Sequence, residues 1–262
     1  MNQQKAIRKA IKKLRSSLKW RVLEKCSSDS TLHILSDHLR KEHVIYIPSG
    51  NQADPLRPTE YLHELCHAKL AETVHLQFSA QNFKRGTPDE QIRQMAIACR
   101  VASDWFADEL LYSLVPEDFK AEVAEHFDLI TKVLSQSPPG EPFLVFSAGL
   151  IIAQAIRYLD QKVEARGDLG RVVDALLGTD PAKPSIQTLE DLLNRLLKTY
   201  SGYQVRLVDD GGVEVWEAEA NKFLQIQASV SGHRLTSTRL FLNFPPIWMN
   251  LLCCVRQCGA YI

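Results

Sequence analysis

The sequence predicts an α+β fold that is mainly helical, with further helices and a small antiparallel sheet toward the C-terminal end. Three observations carry this. Apolar residues recur at three- and four-residue steps over most of the 262 positions, which is the period of one face of an α-helix. One short β-branched run, Val44-Ile45-Tyr46-Ile47, is cut off by Pro48 and Gly50. Past Tyr203 the pattern changes to short strand-like runs separated by Asp209-Asp210-Gly211 and Ser231-Gly232, residues that suit tight turns. With 45% hydrophobic and 24% charged residues, the chain can bury a core, and composition argues against disorder, collagen-like repeats and coiled coil.

The elements follow in order. Ile7, Ile11, Leu14, Leu18 and Val22 keep helical spacing, so residues 3–25 read as an amphipathic helix. A second helix is expected over 29–41, then a strand at 44–47 and a loop with two prolines at 51–58. From Thr59, Tyr61, Leu62, Leu65, Cys66, Leu70 and Val74 supply another helical stripe. Thr87-Pro88-Asp89-Glu90 has the form of a capping box and opens a helix over 88–112, followed by one over 117–135. Ser135 to Pro142 contains three prolines and a glycine and marks a linker. Helices at 143–165, 168–177 and 186–199 come next, then strands at 203–208, 212–216, 223–230 and 234–244. The linker divides the chain into residues 1–135 and residues 143–262.

Lys+Arg 31 and Asp+Glu 31 cancel, so whole-chain charge gives no support for a nucleic-acid partner. The exception is local: residues 1–25 hold nine bases against the single acid Glu24. A solvated helix packed on the domain is the simplest account of that segment; docking to an acidic partner or to nucleic acid is the alternative. No window reaches the ~18–20 unbroken apolar residues of a membrane helix, because Ser147, Gln154 and Arg157 interrupt the nearest one. The charged N-terminus lacks an apolar secretion signal. Six scattered cysteines without a C-x-x-C pair complete the expectation of a reduced, cytoplasmic protein.

His63-Glu64-Leu65-Cys66-His67 carries the chemistry. Residues four apart stack on one helix face, so both imidazoles can reach one metal ion. Glu64 stands beside the first ligand, placed to act as general base on a water that zinc acidifies. A third protein ligand is required. Leu70 and Thr73 occupy the positions where metzincins carry glycine and histidine, and Thr87 the position of the thermolysin-type glutamate. The best candidate is Asp104, with Asp108 one turn later as an alternative ligand or as a partner that orients one. The competing account of Asp104 is a surface pair with Arg100. His75 is a fallback ligand, Cys66 a small core residue facing away from the metal, and Tyr61 and Tyr112 either polarise a carbonyl or simply pack. Cys253, Cys254 and Cys258 lack partnering histidines.

These motifs resemble the ImmA/IrrE family of soluble bacterial metallopeptidases. His-Glu-Leu-Cys-His matches that family's histidine helix, and Phe106-Ala107-Asp108-Glu109-Leu110-Leu111 its following Phe-Ala-x-x-Leu-Leu run. The Asp104-x-x-Ala107-Asp108 segment is also similar to that of the HtpX-type gluzincins. Two positions depart: Cys66 replaces a glycine, and Ala102 stands where the family places a glutamate ligand. Aspartate is one methylene shorter, so its helix must approach the metal by a further ~1–1.5 Å. The resemblance spans residues 40–115 and implies a zincin-like domain in 1–135 with Zn2+ on His63 and His67 and Glu64 as catalytic base; Asp104, the nearest acid, is the third ligand expected from the residues themselves. It implies a cytoplasmic protein or peptide substrate, a regulator among the candidates, with residues 143–262 choosing substrate or sensing a signal. The rival expectation is a catalytically inactive zincin-fold protein that acts through protein–protein contacts.

Overall fold

The computed structural model describes residues 2–28, 32–49, 57–136 and 141–220. Within them the chain runs α1 (Asn2–Ser17), β1 (Arg21–Ser27), β2 (His33–Asp37), β3 (Glu42–Pro48), α2 (Pro58–Thr73), α3 (Asp89–Leu114), α4 (Pro116–Gln136), α5 (Pro142–Leu159), α6 (Gly167–Leu177), α7 (Ile186–Tyr200), β4 (Tyr203–Asp209) and β5 (Glu214–Ala220). A single 3-10 turn, Leu76–Phe78, lies between α2 and α3. This is an α+β protein. The strand runs at 223–230 and 234–244 and the three C-terminal cysteines lie outside the described residues.

The N-terminal fifth differs from the sequence expectation. The helix expected over 3–25 stops at Ser17, because the backbone N–H groups of Lys19 and Trp20 donate to the Glu72 carboxylate at 2.8 and 2.7 Å instead of to helix carbonyls. The chain then extends as β1, parallel to β3 with Leu23 opposite Val44. The helix expected at 29–41 is instead β2, antiparallel to β3 with Ile34 opposite Ile45. Its inward residues are Ile34 and Ser36, a period of two and not 3.6. Asp37 Oδ1 accepts the N–H groups of Leu39 and Arg40, and Lys41 takes the left-handed conformation (φ 55°) that closes the hairpin. The sheet order is β1-β3-β2, which leaves β2 at an edge.

Elsewhere the expected helices form, with ends shifted by at most six residues. The capping box at Thr87 does not: Pro88 occupies the N-cap without a side-chain bond, and the Thr87 hydroxyl donates to the Lys84 carbonyl at 2.8 Å. A capping box does form at α7, where Ser185 accepts from the Thr188 N–H. One apolar core runs from Ile7 and Leu14 through Leu62, Leu65, Trp105 and Phe106 to Leu193, Val205 and Trp216, so the segments on both sides of the Pro-rich linker share it. Pro142–Leu159 is the one described helix long and apolar enough to cross a membrane, and 56% of that stretch is buried inside the protein. It packs as a core helix against α3, α4 and α6.

The C-terminal hairpin has a specific attachment. Trp216 N–H donates to the Asn82 carbonyl and Lys84 N–H to the Trp216 carbonyl, both at 2.8 Å. Gln77 donates to the Glu214 carbonyl, and His75 lies 2.8 Å from the Glu214 carboxylate. β5 thereby clamps residues 75–84, the segment that joins α2 to α3.

Candidate metal centre

Residues 58–73 form a helix because Pro58 presets its first turn and Tyr61, Leu62, Leu65, Cys66 and Leu70 bury one side. His63 and His67 sit one turn apart at the edge of that buried face. On α3, Asp104 and Asp108 hold the same relation at the edge of the Trp105–Phe106–Ala107 core stripe. Helices α2 and α3 pack directly against each other, which brings these two edges together.

The structure brings His63, His67 and Asp104 together, with one ligand atom of each within 4.8 Å of the others. The two Nε2 atoms are 3.0 Å apart. Asp104 Oδ1 is 3.2 Å from His67 Nε2 and 3.6 Å from His63 Nε2. Three donors ~2.0–2.1 Å from one tetrahedral zinc lie roughly 3.3–3.4 Å from each other, so these separations fit a single cation. The shorter aspartate therefore reaches the group.

The outer nitrogens explain why the inner ones converge. His67 Nδ1 donates to the Phe78 carbonyl at 2.6 Å. His63 Nδ1 lies 2.9 Å from Asp108 Oδ1, and Asp108 Oδ2 accepts from Gln154 Nε2 at 2.5 Å. A carbonyl accepts, and so does a carboxylate oxygen, so each Nδ1 directs its proton outward, and in a neutral ring Nε2 is then the atom open to a metal. Two such nitrogens and a carboxylate oxygen around one point need a positive charge between them, which either a shared proton or a metal ion supplies. A divalent cation fits that requirement, and each imidazole is already held in the ligating tautomer.

With a proton in place of the metal, burial opposes the charge on His63, but the Asp108 and Asp104 carboxylates overcome it and raise the pKa well above the ordinary value. Burial likewise disfavours ionised Asp104, yet hydrogen bonds from His63 and His67, helped by Arg100, hold its carboxyl far below the usual range. Arg100 Nε stands 3.5 Å from Asp104 Oδ2. The pair expected as the competing account thus exists alongside the three-residue group, using the other carboxylate oxygen.

Glu64, His67 and Asp104 line a cleft of about 960 Å3. Its walls are β2, the segment containing Phe78 and Phe83, and the face of α3 with Arg93, Arg100 and Ser103. Other sequence candidates lie elsewhere. Cys66 is fully buried, and burial pushes its thiol well up, so it remains a neutral core residue. His75 faces Glu214. The Tyr61 phenol donates to Glu24 at 2.7 Å and accepts from Arg15 at 2.8 Å, and the Tyr112 ring packs on Phe119 and Tyr158.

Two positions escaped the sequence reading. Phe78 acts through its carbonyl, which no side-chain pattern announces. Gln154 did leave a signal: a lone amide within an apolar helix needs a buried partner, and the partner is Asp108. A scan of protein-family models finds none that matches this chain, and neither the curated proteins nor the solved structures hold one that matches.

Proposed function

We propose that the protein is a zinc-dependent metallopeptidase with a zincin-like active site, acting on a cytoplasmic protein or peptide. The observation that carries this reading is the convergence of two correctly protonated imidazoles and one carboxylate beside Glu64 in a cleft. Bound there, zinc would acidify water and polarise a scissile carbonyl. His63, His67 and Asp104 hold the ion; Asp108 and the Phe78 carbonyl keep the ring tautomers that ligation needs. Glu64 takes the proton of the attacking water and delivers it to the leaving amine. β2 gives the cleft a strand edge whose other side alone is paired within the described sheet, and an extended peptide can lie along such an edge by backbone hydrogen bonds. The resemblance to the ImmA/IrrE metallopeptidases supports the same reading and favours a regulatory protein as substrate.

A second reading has one observation in its favour. Asp104 is shared between the histidines and Arg100, and Ala102 fills the position of the family's glutamate, as in a zincin fold kept for partner binding without turnover. Metal analysis and one substitution separate the readings. Protein purified with zinc supplied is expected to hold about one ion per chain, and the His63→Ala variant none. A fluorogenic peptide library is expected to be cleaved by the wild type and not by Glu64→Gln, which keeps its zinc. Zinc-free wild type overturns the metal site; equal cleavage by Glu64→Gln overturns the enzyme.

A further inference from the structure

Helix α1 contains no acidic residue. Its apolar side, Ile7, Ala10 and Leu14, is buried in the core, while Lys5, Arg8, Lys9, Lys12 and Lys13 are exposed. At 100° per residue these five cations fall within an arc of roughly 140° directly opposite the buried stripe. Arg15, beyond them, is spent on Glu24 and Tyr61. Among the described residues no carboxylate lies within ion-pair distance of any of the five. The positive charge is therefore concentrated on one ridge and left uncompensated, on a chain whose total charge is zero.

We propose that this ridge binds the phosphate backbone of duplex DNA. The chemistry of the face chooses the partner. A membrane-surface helix inserts its apolar side into lipid, but here that side is the protein core, with Ile7 and Leu14 only 7% and 6% exposed. Single-stranded nucleic acid is held by aromatic stacking platforms, and the exposed face of α1 carries no aromatic residue. Protein partners are gripped by buried aromatic or arginine anchors in pockets; this face offers evenly spaced, mostly lysine point charges. Lys5 to Lys13 spans about 12 Å of helix, close to the ~12 Å width of the B-form major groove, whereas the A-form RNA groove is too narrow to admit a helix. The binding is sequence-independent, because backbone contacts position without specifying. It does not depend on the metal site.

The test uses the full chain and a fluorescein-labelled 20-base-pair DNA duplex, followed by anisotropy between 50 and 200 mM NaCl. With each neutralised phosphate contributing a slope of about −0.9 in log K against log salt, five contacts give roughly −4.5. The variant Lys9→Gln/Lys12→Gln/Lys13→Gln is expected to flatten the slope by about 2.7 and to bind at least ~100-fold more weakly at 50 mM. The matching Lys→Arg triple variant retains wild-type binding, and all three proteins melt alike because the positions are exposed. Absence of wild-type binding at 50 mM overturns the proposal. So does equal binding by the Gln variant, tighter binding to a duplex RNA of the same sequence, or capture by phosphatidylserine vesicles without binding to the duplex.

Discussion

Two buried histidine–carboxylate clusters meet along α2, built from nearly the same residue types. In one, Ser36 Oγ lies 2.6 Å from His43 Nδ1, and His43 Nε2 lies 3.0 Å from Glu72 Oε1. Glu72 also receives the Lys19 and Trp20 N–H groups, and Trp20 stacks on the His43 ring at 5.1 Å. Burial lowers the His43 pKa, so the ring is neutral: its Nε2–H donates to Glu72 and its Nδ1 accepts from Ser36. Each proton in that chain has one acceptor, and no lone pairs collide. In the other cluster, His63, His67 and Asp104 aim three acceptors at one point, and the protons that could have satisfied them are turned outward to Asp108 and Phe78. A linear, satisfied chain ties β2 and β3 to α2 and to the turn that follows α1. The convergent one has the geometry to hold a cation. Residue type alone does not separate them; the direction of the protons does.

That distinction breaks most visibly at Glu64. Glu64→Gln should lower peptide cleavage by about 10²–10⁴-fold, the contribution of a positioned proton-transfer group, with metal content unchanged. A His43→Gln variant should cleave at the wild-type rate while folded, since His43 is buried outside the lining of the cleft.

The next effect tests the outward protons. Asp108→Asn removes the charge that fixes His63 in its ligating tautomer, and zinc affinity should fall by about 10–100-fold, read by competition with a chromogenic chelator. Gln154→Ala acts through Asp108 and should give a smaller loss of the same sign. Identical zinc affinity in both variants would remove the orienting role assigned to these residues. The positions of these partners also bear on the C-terminal half. Gln154 belongs to α5, and the segment bearing Phe78 is clamped by β5, so both histidines are set by residues on the far side of the Pro-rich linker.

How much of this was legible in the sequence follows from the range of the forces involved. The helix-borne spacing His63–His67 and Asp104–Asp108 is local geometry, and the sequence displays it directly. The approach of α3 to α2 is not local, yet Asp104 could be named because an acid at the edge of an apolar stripe is costly without a partner. The errors fall where a distant residue captures the backbone. Leu18 and Val22 keep helical spacing, but Glu72, fifty residues away, takes the N–H groups that would have extended α1. At 29–41 the apolar residues fit a helix, and only pairing with β3 selects the two-residue period. Thr87 has a capping-box sequence, but its hydroxyl finds the Lys84 carbonyl of a preceding turn. Phe78, acting through its backbone, was beyond any reading of side chains.

Smaller still is the effect of opening the satisfied chain. His43→Gln should cost about 1–3 kcal/mol, since Glu72 loses a buried donor, and leave zinc content intact. Its pH dependence gives the finest test. A buried histidine with a lowered pKa is neutral in the folded state while its unfolded counterpart takes up a proton below the ordinary ~6.5. Stability is therefore full above pH 6.5 and declines as pH falls toward the folded value. Glu72, whose burial is outweighed by bonds from Lys19, Trp20 and His43, has a lowered pKa, and its stabilisation is lost only below its unfolded ~4.3. His63, shifted upward, is protonated in both states of the metal-free protein below 6.5 and contributes no slope there. The difference between wild type and His43→Gln across pH 6.5 to ~4.5 thus reads the His43 contribution. In chelator-treated protein, urea unfolding across that window should show the wild type losing stability and His43→Gln losing less, the two curves converging as pH falls. Parallel curves would mean that His43 exchanges protons with solvent as freely as an exposed histidine, and the satisfied chain would not exist in solution.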